Sequence, residues 1–372
     1  MINDNFCYVP ILKWKGAEIK ALKELYDRHK KHVCPLIQII HKEKAEDTLE
    51  DLAKRFRDEQ LYKIREGIID AWGNEKIFVS FNLLYTTELK LESFKVVLED
   101  DLKNEGSIIP VIHLSDDKKI RDYVFSLAKE NNREICLRII PADFGIDNNI
   151  NINEINSKIK NCLDKYKVKE SLVNLIVDIS DFGSDKSLYD KYFEASQGIY
   201  NISNWRTFAF SGGSFLKDLS SCKTDVDNIY SRSEWVFWKD QVSNNKLLRI
   251  PLFSDYTVQF PVYEKMTQFF QSTCSVRYTL DDDWWILKGK KGGFDQYLAH
   301  ASDLVKQHER YYGEDFSFGD KYIKEKADHF EEYRKNPKIK KLTGNTPTWL
   351  SAGINHHLTV AATQVSNLIG KR

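Results

Sequence analysis

The chain has 372 residues, with 55 basic residues against 55 acidic ones and no net formal charge. That balance excludes a protein that coats nucleic acid or membrane through bulk charge, and leaves room for a local basic pocket. At 42% hydrophobic and 30% charged residues the composition is ordinary for a soluble protein, long enough for one large domain with insertions or for two. Six cysteines (Cys7, Cys34, Cys136, Cys162, Cys222, Cys274) form no CxxC pair. A disulfide framework or structural zinc site is therefore not expected, and a reducing, cytoplasmic setting is. No apolar stretch reaches the roughly 18–20 residues that span a bilayer, and residues 1–5 lack the basic and apolar regions of a signal peptide. We expect no membrane partner.

Short apolar runs at residues 10–15, 35–40, 77–82, 108–113, 135–140 and 175–180 read as strands covered on both faces. Looser runs follow at 207–211 and 250–256. Most carry one polar residue in a similar place: Lys13, Gln38, Ser80, His113, Arg138, Asp178, Asp255. Between them, residues 17–32, 45–70, 90–104, 116–131, 151–168 and 186–200 repeat apolar positions at helical spacing, with Asn153 as an N-cap before Glu154. Strand and helix alternating seven or eight times predict a (β/α)8 barrel. The competing doubly wound sheet carries fewer strands and a glycine-rich first turn, and residues 15–18 hold only Gly16. Beyond residue 212 the alternation weakens. Residues 230–240 look helical, 273–280 and 284–288 look like a β-pair joined by Asp281, Asp282 and Asp283, and the rest looks mainly helical. The expected architecture is an α/β fold: a (β/α)8-like barrel over 8–265 and a C-terminal α/β extension over 266–372 that packs on it.

Several spaced motifs resemble the "beta protein" family of phages and bacteria. They are the opening Pro10, Lys13, Lys15, Gly16 and Glu18; Pro35 and Leu36 before Gln38; the strand-borne Arg138 and Asp178; the pair Asp255 and Tyr256; and Arg277, Tyr278 and Thr279. Later come Phe316, Ser317, Gly319, Asp320 and Ile323, then Trp349 and the run Asn355, His356, His357, Leu358. The chain departs from the family pattern at Gln38, where an acid is expected, and at an inserted Ala17. The resemblance implies a phage-linked or anti-phage defence setting and brings no established activity with it.

Strand alternation decides which side chains share a face. If helices cover the apolar faces, Lys13, Gln38, Ser80, His113, Arg138, Asp178 and Asp255 all point into the barrel. Lys15, Asn82, Ser180 and Tyr256 fall nearest the C-terminal strand ends, where such barrels place their chemistry. The candidate catalytic residues are Lys13, Arg138, Asp178 and Asp255. Lys15, Gln38, His113, Tyr256, Arg277, Tyr278, His356 and His357 are candidate ligand-binding residues.

Two chemistries suit this set. Asp178 and Asp255, joined by His113, could hold a divalent metal while Lys13 or Arg138 stabilises a phosphoryl transition state. Alternatively Lys13, Lys15, Arg138 and Arg277 clamp a phosphate or carboxylate without metal. The plainer reading makes the interior charges a buried ion network. Residues 211–214 (Ser-Gly-Gly-Ser) form either a phosphate cradle or a tight turn. Asp281 to Asp283 read as a solvated turn, and Trp235, Trp238, Trp284 and Trp285 as packing rather than base-stacking. The functional expectation is a phage or anti-phage effector that binds a phosphate-bearing ligand, a nucleotide or nucleic acid, at the barrel mouth, with hydrolysis open. The alternative is a non-catalytic scaffold that contacts a partner protein from the same operon through the aromatic-rich tail.

Overall fold

Alternation along the strands sorts the apolar side chains into two layers. In the computed structural model, which describes residues 6–42, 46–102, 106–145, 149–243, 246–264 and 273–370, Val9, Ile11, Leu36, Phe78, Val111, Cys136, Ile176 and Ala209 fill one interior cluster. Their strand neighbours Leu12, Ile37, Val79, Ile112, Leu137, Val177 and Phe210 join the layer beneath the helices. The strands are β1 (Tyr8–Lys13), β2 (Leu36–Gln38), β3 (Ile77–Ser80), β4 (Ile108–His113), β5 (Ile135–Ile139), β6 (Val173–Asp181) and β7 (Phe208–Gly213). The next strand, β8 (Asp227–Ser231), leaves the barrel, and β9 (Leu252–Asp255) closes it by pairing in parallel with both β7 and β1. The result is the expected eight-stranded parallel barrel with helices between its strands.

Register places the polar residues at one level. Lys13 pairs with Gln38, Gln38 with Ser80, His113 with Arg138, and Asp178 with Ser211. Asp255 departs from the expected pattern. It shares its face with Phe253, which packs in the outer layer, while Tyr256 joins the interior cluster. The inward group at the end of β9 is therefore Tyr256, and Asp255 points outward, away from the ring it was assigned to.

The N-terminal strand ends are closed by charge. Glu134 accepts from Lys76 at 2.7 Å and pairs with Arg206 at 2.7 Å, and Asn174 reaches it at 3.3 Å. A plug at this end of a barrel serves stability rather than chemistry. Helix boundaries follow local signals: Asn151, not Asn153, caps the helix Ile152–Tyr166, its Oδ1 accepting from the Glu154 amide at 3.2 Å.

The tail builds a second sheet. Strands β10 (Thr273–Thr279) and β11 (Asp283–Lys291) form the expected β-pair, and β8 adds to β11, giving the antiparallel order β10-β11-β8. The tail sheet thus takes a strand from inside the barrel region. The barrel-tail boundary expected at residue 265, like residues 1–5, lies outside the described residues. The final helix, Thr346–Gly370, is buried at every position from Ser351 to Ala362. Its buried stretch mixes apolar residues with Asn355, His356, His357 and Thr359, and it lies between the first helix (Gly16–Lys23), the helix Phe318–Lys335 and β10. Two glycines permit the close approach. A Cβ on Gly319 would sit 2.2 Å from the Ala352 carbonyl oxygen, and one on Gly353 would sit 2.7 Å from that of Arg277.

Candidate functional site

Two carboxylates end barrel strands in the same way. Asp178 Oδ1 accepts from the Ser180 amide at 2.9 Å, and Asp255 Oδ1 accepts from the Thr257 amide at 3.1 Å. Both turns place the third residue at positive φ, 55° for Ser180 and 58° for Thr257. That conformation is rare for a non-glycine residue and costly for β-branched threonine. The two aspartates then face opposite ways and do different things.

Asp178 faces the barrel interior. Its Oδ2 accepts from Arg138 Nε at 2.9 Å, from Arg138 Nη2, and from the Tyr256 hydroxyl at 2.6 Å. Arg138 Nη2 also donates to the Tyr256 hydroxyl at 2.8 Å. Burial opposes the charge on Arg138, and the adjoining Asp178 carboxylate more than offsets it, so the guanidinium stays protonated. Burial and the Asp178 charge both push the Tyr256 phenol up. Arg138 Nη1 carries no hydrogen bond among the described residues.

Arg138 and Tyr256 form part of the wall of a cleft of about 410 Å³, together with Gln38, Asn82, His113 and Ser180, while Asp178 lies behind them. His113 is held well below its ordinary value by burial and by the Arg138 and Lys90 charges, and is neutral. Its Nε2 is buried without a partner among the described residues, as are both amide atoms of Asn82. Orphaned polar atoms of this kind cost about 1–3 kcal/mol each unless something else satisfies them.

A second cleft, about 400 Å³, shares Val262 and Tyr263 with the first and is lined by Lys13, Lys15, Lys217 and Arg277 together with Asp218 and Glu264, the last paired with Lys217. Lys13 donates to the Phe260 carbonyl at 2.8 Å and Arg277 to the Val258 carbonyl at 2.7 Å. Burial lowers Lys13 to about 8, with the Lys15 charge adding to the effect, and burial lowers Arg277 to about 10. Lys15 lies 5.3 Å from the Tyr263 ring centroid. Among the described residues none of the three cations Lys13, Lys15 and Arg277 has a carboxylate within salt-bridge distance. Glu18, buried nearby, spends Oε1 on Gln259 at 2.9 Å.

Asp255, outside the barrel wall, serves the tail. Its Oδ1 accepts from the Tyr8 hydroxyl at 2.6 Å and its Oδ2 from His357 Nε2 at 2.8 Å. His357 Nδ1 meets the Thr279 hydroxyl at 3.0 Å. Burial alone would raise Asp255; the bonds from His357 and Tyr8 outweigh it and hold the carboxyl below its usual range. Burial lowers His357, with Asp255 only partly offsetting it. The pair is thus a carboxylate and a neutral imidazole that donates from Nε2 and accepts from threonine at Nδ1. Thr279, His357 and Asp255 resemble a nucleophile-base-acid chain, but all three are at most 1% exposed. No substrate reaches them, and the chain ties the last helix to β9 and β10.

The neighbouring His356 does the same job on the helix's other side. Its Nδ1 meets Asp320 Oδ2 at 2.8 Å, its Nε2 the Thr279 carbonyl at 2.8 Å, and its ring stacks on Tyr278 at 3.8 Å. Tyr278 donates to Asp320 Oδ1 at 2.6 Å. Asn355 bridges the Gly319 amide at 3.0 Å and the Ala21 carbonyl at 2.9 Å. Tyr278, His356 and His357 therefore line neither cleft. The metal arrangement expected of Asp178, Asp255 and His113 does not form, because β9 turns Asp255 to the opposite face. Among the described residues no group of three or more His, Cys, Asp or Glu side chains is placed to hold a metal ion.

The remaining motifs resolve as packing. A Cβ on Gly213 would lie 2.5 Å from Pro261 Cγ, so the glycine pair admits the segment that separates the two clefts. Trp235 and Trp238 pack edge-on against Phe253, at 5.3 and 5.4 Å between centroids, and Trp284 against Phe215 at 4.9 Å. All are buried, so they offer no surface to a partner protein. Asp282 is less solvated than a free turn, accepting from Trp235 Nε1 at 3.0 Å and Lys239 at 2.6 Å. The six cysteines are free and buried.

Sequence reasoning did not single out Lys217 or Gln259, whose place in the cation cleft depends on loop packing, and named Asn82 only for its position. It also passed over Glu234, in the first turn of the helix Ser233–Val242. Burial and the nearby Asp255 charge push this carboxyl up to about 7. The folded protein then keeps a proton that the unfolded chain gives up above about 4.5, so this group's contribution to stability falls as pH climbs from about 4.5 to 7. Glu234→Gln should remove that part of the slope. Urea midpoints at pH 5 and pH 7 would show the variant gaining on the wild type as pH rises; an unchanged difference would contradict the assignment.

Fold and site together define a (β/α)8 barrel with a polar mouth and a tail locked to its wall. The chain belongs to the Beta protein family, whose family model matches residues 8–363. No curated protein matches it. Among the described residues, no helix is long and apolar enough to cross a membrane.

Proposed function

We propose that the barrel mouth binds a phosphate-bearing ligand, a nucleotide or nucleic acid, in a phage-linked or anti-phage setting. One observation carries the reading: Lys13, Lys15, Lys217 and Arg277 converge on one cleft that holds only the carboxylates Asp218 and Glu264, and Glu264 pairs with Lys217, which leaves an excess of positive charge. Lys13 is buried and Arg277 half-buried; such cations are costly alone, and an anion that forks between guanidinium and ammonium donors, the exposed Lys15 among them, offsets that cost. Arg138 is a poorer anion partner, since Asp178 already neutralises it. The reading is of binding rather than turnover, because Asp178 has its oxygens engaged by three residues and offers no free base. The phage-linked setting rests on the family resemblance alone.

Titration calorimetry with pyrophosphate tests the cleft. Lys15→Ala, at an accessible position, should weaken binding about tenfold, near 1.4 kcal/mol. Affinity should hold below pH 8 and fall above it as Lys13 loses its proton. Pyrophosphate binding that ignores both the substitution and the pH change, or no binding at millimolar concentration, would sink the proposal.

A further inference from the structure

We infer that the cleft beside the cations is a base-recognition pocket, so that the ligand is a nucleoside phosphate whose base is read by Asn82 and Gln38. The inference rests on the phosphate reading above and adds what lies next to the phosphate.

The two clefts share a wall but differ in charge. On the Lys13 side, Lys13, Lys15, Lys217 and Arg277 outnumber the two carboxylates Asp218 and Glu264. On the Asn82 side, Arg138 is matched by Asp178, Lys90 stands near Asp116, and His113 is neutral. A ligand that spans both would carry its charge at one end and neutral hydrogen-bonding groups at the other.

The hydrogen-bonding groups on the neutral side are unspent. Both amide atoms of Asn82 and Nε2 of His113 lack partners among the described residues. An amide offers a donor and an acceptor side by side, the complement of a base edge, which is why Asn and Gln read adenine in nucleic-acid complexes. Leu83, Pro261, Val262 and Tyr263 add an apolar stretch to a wall that also carries Lys90, Ser115, Asp116 and Ser180. Such a stretch suits an aromatic heterocycle better than a sugar ring. Each cleft, at about 410 and 400 Å³, lies within the size range of small-molecule sites. Lys15 over the Tyr263 ring marks the boundary where base and phosphate would part.

The test is calorimetry on the full chain with the four nucleoside 5′-monophosphates, ribose 5-phosphate and pyrophosphate. At least one nucleotide should bind ten or more times tighter than ribose 5-phosphate. Asn82→Ala should erase that margin and leave ribose 5-phosphate affinity unchanged, while Lys15→Ala weakens both. Should the alanine variant fail to fold, Asn82→Asp keeps the side-chain size, removes both amide donors and should erase the margin as well. Equal affinity for nucleotides and ribose 5-phosphate overturns the base pocket and leaves the phosphate reading standing. A nucleotide margin that survives both Asn82 variants overturns it too, as does binding confined to oligonucleotides. Absence of binding by every phosphate compound overturns both readings.

Discussion

Asp178→Ala should destabilise the protein by about 3–5 kcal/mol, the cost of stripping the partner from a buried charge. The substitution leaves the Arg138 guanidinium facing only the Tyr256 hydroxyl, and leaves that phenol without its acceptor. In a chain of this size the loss would appear as a melting temperature lower by roughly 4–6 °C. The double variant Arg138→Met with Asp178→Leu separates charge from geometry. Replacing both partners with apolar groups of similar volume should restore much of the loss, since a buried pair adds little over good packing. Chemical denaturation of the wild type, both single variants and the double variant closes the cycle. Single variants as stable as the wild type would mean that the interior charges are solvated and that the triad is not the closed unit described here.

The second large effect belongs to the tail. His357→Ala removes the donor to Asp255 and the acceptor for Thr279 in a region that excludes water, and should cost about 3 kcal/mol. His357→Gln, which can still donate to one side and accept from the other, should lose less. The damage should also be local. Hydrogen exchange should rise first in β10 and the last helix, with the barrel strands β3 to β6 keeping their protection. A uniform rise across the chain would show that barrel and tail open together and that the His357 contacts hold no separate seam.

Much of the barrel is legible in the sequence because a parallel strand buried on both faces must be apolar throughout, which makes each interruption visible. Lys13, Gln38, His113, Arg138 and Asp178 stand out for that reason and lie where the alternation puts them. Asp255 was misassigned because β9 is short and both of its faces are covered. Its parity is set by Tyr256 facing the interior, and its partners Tyr8 and His357 lie far off in the chain. Strand β8 gives no apolar run, since alternate residues are exposed, so nothing local shows that it leaves the barrel. The adjacent histidines His356 and His357, candidate ligand-binding residues in the sequence, line neither cleft. That each anchors a different side of the helix depends on Asp320 and Asp255, a pairing no local pattern contains. The cation cleft was half visible: Lys13 and Lys15 share a strand face, whereas Arg277 comes from the tail sheet and meets them only in three dimensions.

The bond between Asp255 and Tyr256 bears on the order in which the chain can mature. Tyr256 completes the mouth and Asp255, one residue earlier, is completed by His357, so the rim and the last helix are neighbours through a single peptide unit. Asn355 likewise reaches back to Ala21 in the first helix. During synthesis the early strands emerge long before those partners. A nascent barrel would hold an Asp255 carboxylate answered at Oδ1 by Tyr8 and Thr257 but not at Oδ2 until the final helix arrives. Contacts closed over such long stretches form late and slowly. The final helix therefore acts as the last stave driven into a cask, and a ribosome stalled shortly before it would release a barrel that cannot yet hold its mouth in shape.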